Sequence, residues 1–137
     1  MRYFIRFHLP VLIFVVGIFI LSSIQDISPP DLGFKPQDKF YHLVFYFVFG
    51  FFIVRSFRHM AGLPKIRQNA VLFSIVFGSL YALSDEIHQY FVPGRLMSYG
   101  DFVADTMGIL VGVLAFKYYA QISGFIKGNF RFGKSNL

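Results

Sequence analysis

AVLFSIVFGSLYALSDEIHQYF, residues 70–91, is an apolar run long enough to cross a bilayer, and near its end it carries two adjacent acids, Asp85 and Glu86. A membrane helix needs about 20 mostly apolar residues. In lipid, only helices and closed barrels satisfy their own backbone polar groups. The run lacks the alternation of a barrel strand, so a helix is expected. Working outward, three more runs have the same character, at 7–24, 40–57 and 102–122. The expected fold is an all-α membrane protein, a four-transmembrane-helix bundle over residues 1–122, followed by a basic-aromatic tail over 123–137 that lies on the inner leaflet.

Composition agrees. The 137 residues are 55% hydrophobic and 15% charged, against roughly 25% charged in soluble domains. There is no Cys, which excludes disulfides, thiolate metal sites and cysteine nucleophiles. There is no Trp, so any aromatic belt is Tyr and Phe. The net charge of +6 arises from basic residues that flank apolar runs. Anionic membrane lipid is therefore the expected partner, and no nucleic acid.

Charge also sets direction. The seven acids, Asp26, Asp31, Asp38, Asp85, Glu86, Asp101 and Asp105, fall in or beside the first and third connections. Of the thirteen basic residues, Lys35, Lys39 and Arg95 share that side. Arg2, Arg6, Arg55, Arg58, Lys65, Arg67, Lys117, Lys127, Arg131 and Lys134 lie on the other. By the positive-inside rule both termini are cytoplasmic and the acidic connections face outward. Arg2 and Arg6 before an apolar run also fit a secretory signal peptide. The length of the run and the lack of an A-x-A site favour an uncleaved helix; cleavage would leave three spans in the same orientation.

The outer connections carry breakers: Ser28-Pro29-Pro30-Asp31-Leu32-Gly33 in the first, and Val92-Pro93-Gly94-Arg95 in the third. Three polar patches then converge at one membrane depth. The first is Asp38-Lys39-Phe40-Tyr41-His42, in which Asp38 and His42 share a helix face that Tyr46 continues. Asp38 is also an expected helix cap. The second is Asp85-Glu86-Ile87-His88-Gln89, with carboxylates and amide on one side of a helix. Ionisable groups inside a membrane helix are costly and mark functional sites. The third is Arg95, Ser98 and Asp101, the last capping the fourth span, with Asp105 one turn deeper and Gly108 and Gly112 following at small-xxx-small spacing. That spacing turns Asp101 and Asp105 into the bundle. Arg95 is the expected partner of Glu86 or Asp101, as a rigid salt bridge that locks the turn or as part of a site.

These patches, in this order, resemble the VanZ-like family of small bacterial integral membrane proteins. The carriers are Asp38-Lys39-x-x-His42, Glu86-x-x-Gln89, Pro93-Gly94-Arg95, Ser98 and Asp101, across residues 38 to 112. Asp105 departs from the pattern, where Asn is the more usual residue, and adds a carboxyl that needs a partner or a proton. The resemblance implies a multi-pass protein of the bacterial cytoplasmic (inner) membrane and cell envelope. It implies no known reaction. Glycopeptide (teicoplanin) resistance is linked to the founding member of the family; fold and motif do not fix that phenotype here.

Two functions fit the polar level. One is an outer-face pocket that binds a lipid or a lipid-linked anionic head group. In it Lys39 and Arg95 hold phosphate; Asp38, His42, Asp85, Glu86, Gln89, Ser98, Asp101 and Asp105 complete the binding set; Tyr41, Tyr46, Tyr81 and Tyr90 line it. The other is a membrane-embedded hydrolase or transferase acting on such a head group, with His42 or Glu86 as general base and Arg95 stabilising developing charge. Acid and imidazole groups can hold a divalent ion, but no metal-ligand spacing is strong, and neither a metal site nor a cofactor is expected. A proton path fits poorly, because the inner half of the spans is apolar; a pore would need a homo-oligomer of so small a bundle.

Overall fold

The computed structural model describes residues 1–25, 30, 32–33 and 37–132, the last nine of them by backbone alone. The described residues are all helical or irregular: α1 (Arg2–Phe7), α2 (Leu9–Ser23), α3 (Gln37–Arg58), α4 (Pro64–Gln68), α5 (Ala70–Tyr90) and α6 (Tyr99–Phe132). Among the described residues, three stretches are long and apolar enough to cross a membrane: Gln37–Arg58, Ala70–Tyr90 and Tyr99–Ser123. Leucine, isoleucine and valine side chains such as Leu12, Ile13, Leu72, Val76, Leu80, Val111 and Leu114 point away from the bundle. Outward apolar surface on this scale suits lipid, not water.

The first apolar run differs from expectation. It is broken at His8, and the helix beyond it, Leu9–Ser23, has 15 residues. At 1.5 Å per residue that is roughly 23 Å, short of the ~30 Å hydrocarbon core. The break has a local cause. Pro10 has no N–H to offer the Arg6 carbonyl four residues back. That carbonyl instead accepts a hydrogen bond from the Arg55 guanidinium at 2.8 Å. His8 Nδ1 meets Ser56 Oγ at 2.8 Å, and Phe7 stacks on His59 with centroids 3.7 Å apart. The start of the chain is thereby fixed to the far end of α3. At the other end of α2, Ser23 Oγ and His88 Nε2 lie 2.9 Å apart. So α2 and α5 run one way, and α3 and α6 the other.

The closest packing is between α3 and α6, which lie parallel. A Cβ on Gly50 would stand 2.7 Å from the Ile109 carbonyl. A Cβ on Gly108 or Gly112 would collide with the Leu43 and Phe47 carbonyls. Glycine is required at all three because backbone meets backbone. On α5 a stripe of small buried residues, Ser74, Gly78 and Ala82, faces the same seam, with Ile109 packed against Gly78. The stripe continues as Asp85, Glu86 and Gln89. The polar residues are buried because they extend the face that α5 turns inward. Tyr46, Phe49, Ile53, Val54, Ile109 and Val113 fill the space between.

The tail residues 124–132 continue α6 as helix, which expectation placed beyond the fourth span. Asp26, Asp31, Lys35 and the turn Ser28-Pro29, expected to shape the first outer connection, lie outside the described residues, as does Lys134.

Candidate functional site

The connection between α5 and α6 is built by a tight turn. The Arg95 N–H donates to the Val92 carbonyl at 3.1 Å, with Pro93 and Gly94 at the corners. Gly94 has φ 79°, the left-handed value that the third position of a type II turn demands and that glycine supplies without strain. α6 then begins. Ser98 caps it: its Oγ accepts the Asp101 N–H at 3.3 Å. In a capping box the residue at Asp101 would return the favour by accepting the Ser98 N–H. Here Glu86 does so from α5, Oε2 to Ser98 N at 2.8 Å. Glu86 thus ties the end of α5 to the start of α6.

That frees Asp101 for α3. Lys39 Nζ donates to Asp101 Oδ1 at 3.0 Å and to Asp38 Oδ2 at 2.9 Å. One turn further in, His42 Nδ1 lies 3.0 Å from Asp105 Oδ1. The pairs Lys39–Asp101 and His42–Asp105 form two rungs between parallel helices, spaced three residues on α3 and four on α6. Gly100 leaves room for the Lys39–Asp101 rung as it stands, since a Cβ there would lie 2.7 Å from Lys39 Cε and the lysine side chain would have to shift. Asp85 is held separately: its Oδ2 accepts from Tyr46 OH at 3.2 Å and Gln89 Nε2 at 3.3 Å.

Several expectations are corrected. Arg95 pairs with neither Glu86 nor Asp101; both carboxylates are taken by the contacts above, and among the described residues the Arg95 guanidinium makes no ion pair. Asp38 and Asp101 are not caps. The helices start at Gln37 and Tyr99, so each acid sits inside the first turn, where it still favours the positive end of the helix. Tyr81 gives its hydroxyl to the Val15 carbonyl at 2.6 Å and Tyr90 is 68% exposed, so neither joins Tyr41 and Tyr46 at the cavity.

The cavity has a volume of about 860 Å3 and lies between α2, α3, α5 and the 92–98 turn. Such a volume accommodates a drug-sized group. Its apolar wall is Ile18, Leu21, Phe45 and Leu96; its polar wall is Asp38, Tyr41, His42, Tyr46, Asp85, Gln89, Arg95, Ser98 and Asp101. Glu86 and Asp105 lie behind that wall with no exposed surface. Among the described residues, each keeps one buried oxygen without a hydrogen-bond partner, Glu86 Oε1 and Asp105 Oδ2, as does Thr106 at Oγ1.

Sequence reasoning missed Gly100, the Ser98 cap and the small stripe of α5. The Ser98-x-x-Asp101 spacing could have revealed the cap.

The fold and site define a class: a small helical protein with membrane-compatible spans and a buried polar cluster at one end. Residues 12–122 match the VanZ/LLP1 family, and the chain belongs to it. No curated protein and no solved structure matches it.

Proposed function

We propose that this protein crosses the bacterial cytoplasmic membrane four times with both termini inside, and that its outward cavity binds a lipid or a lipid-linked anionic head group. Arg2, Arg6, Arg55 and Arg58 gather at one end of the bundle, opposite Asp38, Asp85, Glu86, Asp101 and Asp105. This sorting supports the orientation. α1 and α2 together run from Arg2 to Ser23 and supply the first crossing. A reporter fused after Leu137 is expected on the cytoplasmic side.

One observation carries the binding reading. Arg95 lines the cavity, and among the described residues its guanidinium makes no ion pair, while Lys39 is already held by two carboxylates. A planar guanidinium recognises phosphate through paired hydrogen bonds. The apolar wall of Ile18, Leu21, Phe45 and Leu96 suits the first carbons of an attached chain. The test uses purified protein in neutral detergent with a polyprenyl phosphate, and the matching uncharged alcohol as control. Saturable binding of the phosphate, weakened at least about tenfold in Arg95→Ala at unchanged membrane accumulation, supports the proposal. Equal binding of phosphate and alcohol overturns it. Failure of Arg95→Ala to accumulate makes the arginine structural.

A second reading, a hydrolase or transferase, draws on His42 oriented by Asp105 at 3.0 Å and open to the cavity. An imidazole so held is placed to act as a general base. Product formed from the bound head group, and lost in His42→Ala, would favour it.

A further inference from the structure

His42, Glu86 and Asp105 come from α3, α5 and α6 and meet behind the polar wall of the cavity. One ligand-capable atom from each lies within 4.8 Å of the others. Glu86 and Asp105 have no exposed surface, and among the described residues each has one buried oxygen without a hydrogen-bond partner. A buried oxygen without a partner costs about 1–3 kcal/mol. Two buried carboxyl groups with an oxygen to spare, gathered with one imidazole, are suited to sharing a cation. The wider charge agrees: Asp85, Glu86, Asp101 and Asp105 are all buried, and Lys39 is committed to Asp101 and to the exposed Asp38.

From this geometry we infer that His42, Glu86 and Asp105 bind a divalent transition-metal ion, Zn2+ or Mn2+. One imidazole with two carboxylates is a mixed nitrogen–oxygen set that suits these ions. Ligand atoms about 2.0–2.2 Å from zinc stand roughly 3.4 Å apart in a tetrahedron, so an ion would draw the three groups together from their present separations of up to 4.8 Å. The ion reaches them past His42, which borders the cavity. Three protein ligands leave a coordination position for water or a bound oxygen. Glu86 Oε2 keeps the Ser98 N–H, so the same residue holds the ion through Oε1 and the α5–α6 junction through Oε2. The inference stands on the three-helix geometry and does not need the head-group reading.

The test begins with chelator-stripped full-length protein in neutral detergent, free of added lipid, titrated with Zn2+ and Mn2+ and assayed for bound metal. One ion per chain is expected, with a raised melting temperature. X-ray absorption on the loaded wild-type protein should show a nitrogen–oxygen shell containing one imidazole. Glu86→Gln and Asp105→Asn should each weaken uptake at least about tenfold. His88→Ala, a histidine that faces Ser23, should leave it unchanged. The inference is overturned if the wild-type chain takes up no ion, if the shell lacks imidazole, or if uptake survives both carboxylate variants. Because the first two readouts use wild-type protein, a variant that misfolds does not rescue the idea.

Discussion

The parallel helices α3 and α6 meet in two chemically opposite ways. Along Gly50, Gly108 and Gly112 they touch backbone to backbone. At their N-terminal ends they meet through Lys39–Asp101 and His42–Asp105. The difference separates two jobs. Glycine contacts bring the axes close, an all-or-none steric condition. The charged rungs act at the helix starts, where Lys39 is partly exposed and His42 borders the cavity, and fix which residues face each other.

If the glycine seam holds the fold, Gly112→Leu has the largest effect. Its side chain would strike the Phe47 carbonyl, and a cost above ~4 kcal/mol is expected, read as loss of membrane accumulation. Gly17→Leu is the control, since nothing lies within 4 Å of its Cβ position. Normal accumulation of Gly112→Leu would reverse the assignment of roles.

Asp105→Ala tests the inner rung. It leaves His42 facing an empty pocket beside Glu86, and about 3 kcal/mol is expected, measured as a lower melting temperature in detergent. A loss as large as that of Gly112→Leu would make the rung, not the glycines, the main clamp.

Glu86→Ala comes next. It strands the Ser98 N–H at the start of α6, at about 1–3 kcal/mol, and Glu86→Gln should recover most of the stability because its amide oxygen can accept the same bond.

The smallest effect is expected from Lys39→Met. The lysine side chain is 42% exposed, and such pairs contribute under about 1 kcal/mol, less at high salt. A larger loss would mean that the outer rung sets the register.

Much of this architecture is legible along the chain. Apolar runs and the segregation of acids from bases are local properties, and lipid rewards them directly. They place α3, α5 and α6, and they put Asp38, His42, Glu86, Arg95 and Asp101 at one level. The small residues at 108 and 112 already announce a close approach. Even the shortened α2 has a local sign in Pro10, whose missing N–H leaves the Arg6 carbonyl to Arg55.

Partnership within the level is another matter. Hydropathy and helical spacing say how deep a side chain lies and which way it faces, but nothing about its neighbour on the next helix. That depends on axial register, and register here follows from where Gly50, Gly108 and Gly112 let backbones touch. Once α3 and α6 are so aligned, Lys39 reaches Asp101 and His42 reaches Asp105. Glu86 meets Ser98, Arg95 is left facing the cavity, and three residues far apart in the chain close into one cluster. Steric fit between helices made those choices, and a one-dimensional pattern holds no record of it.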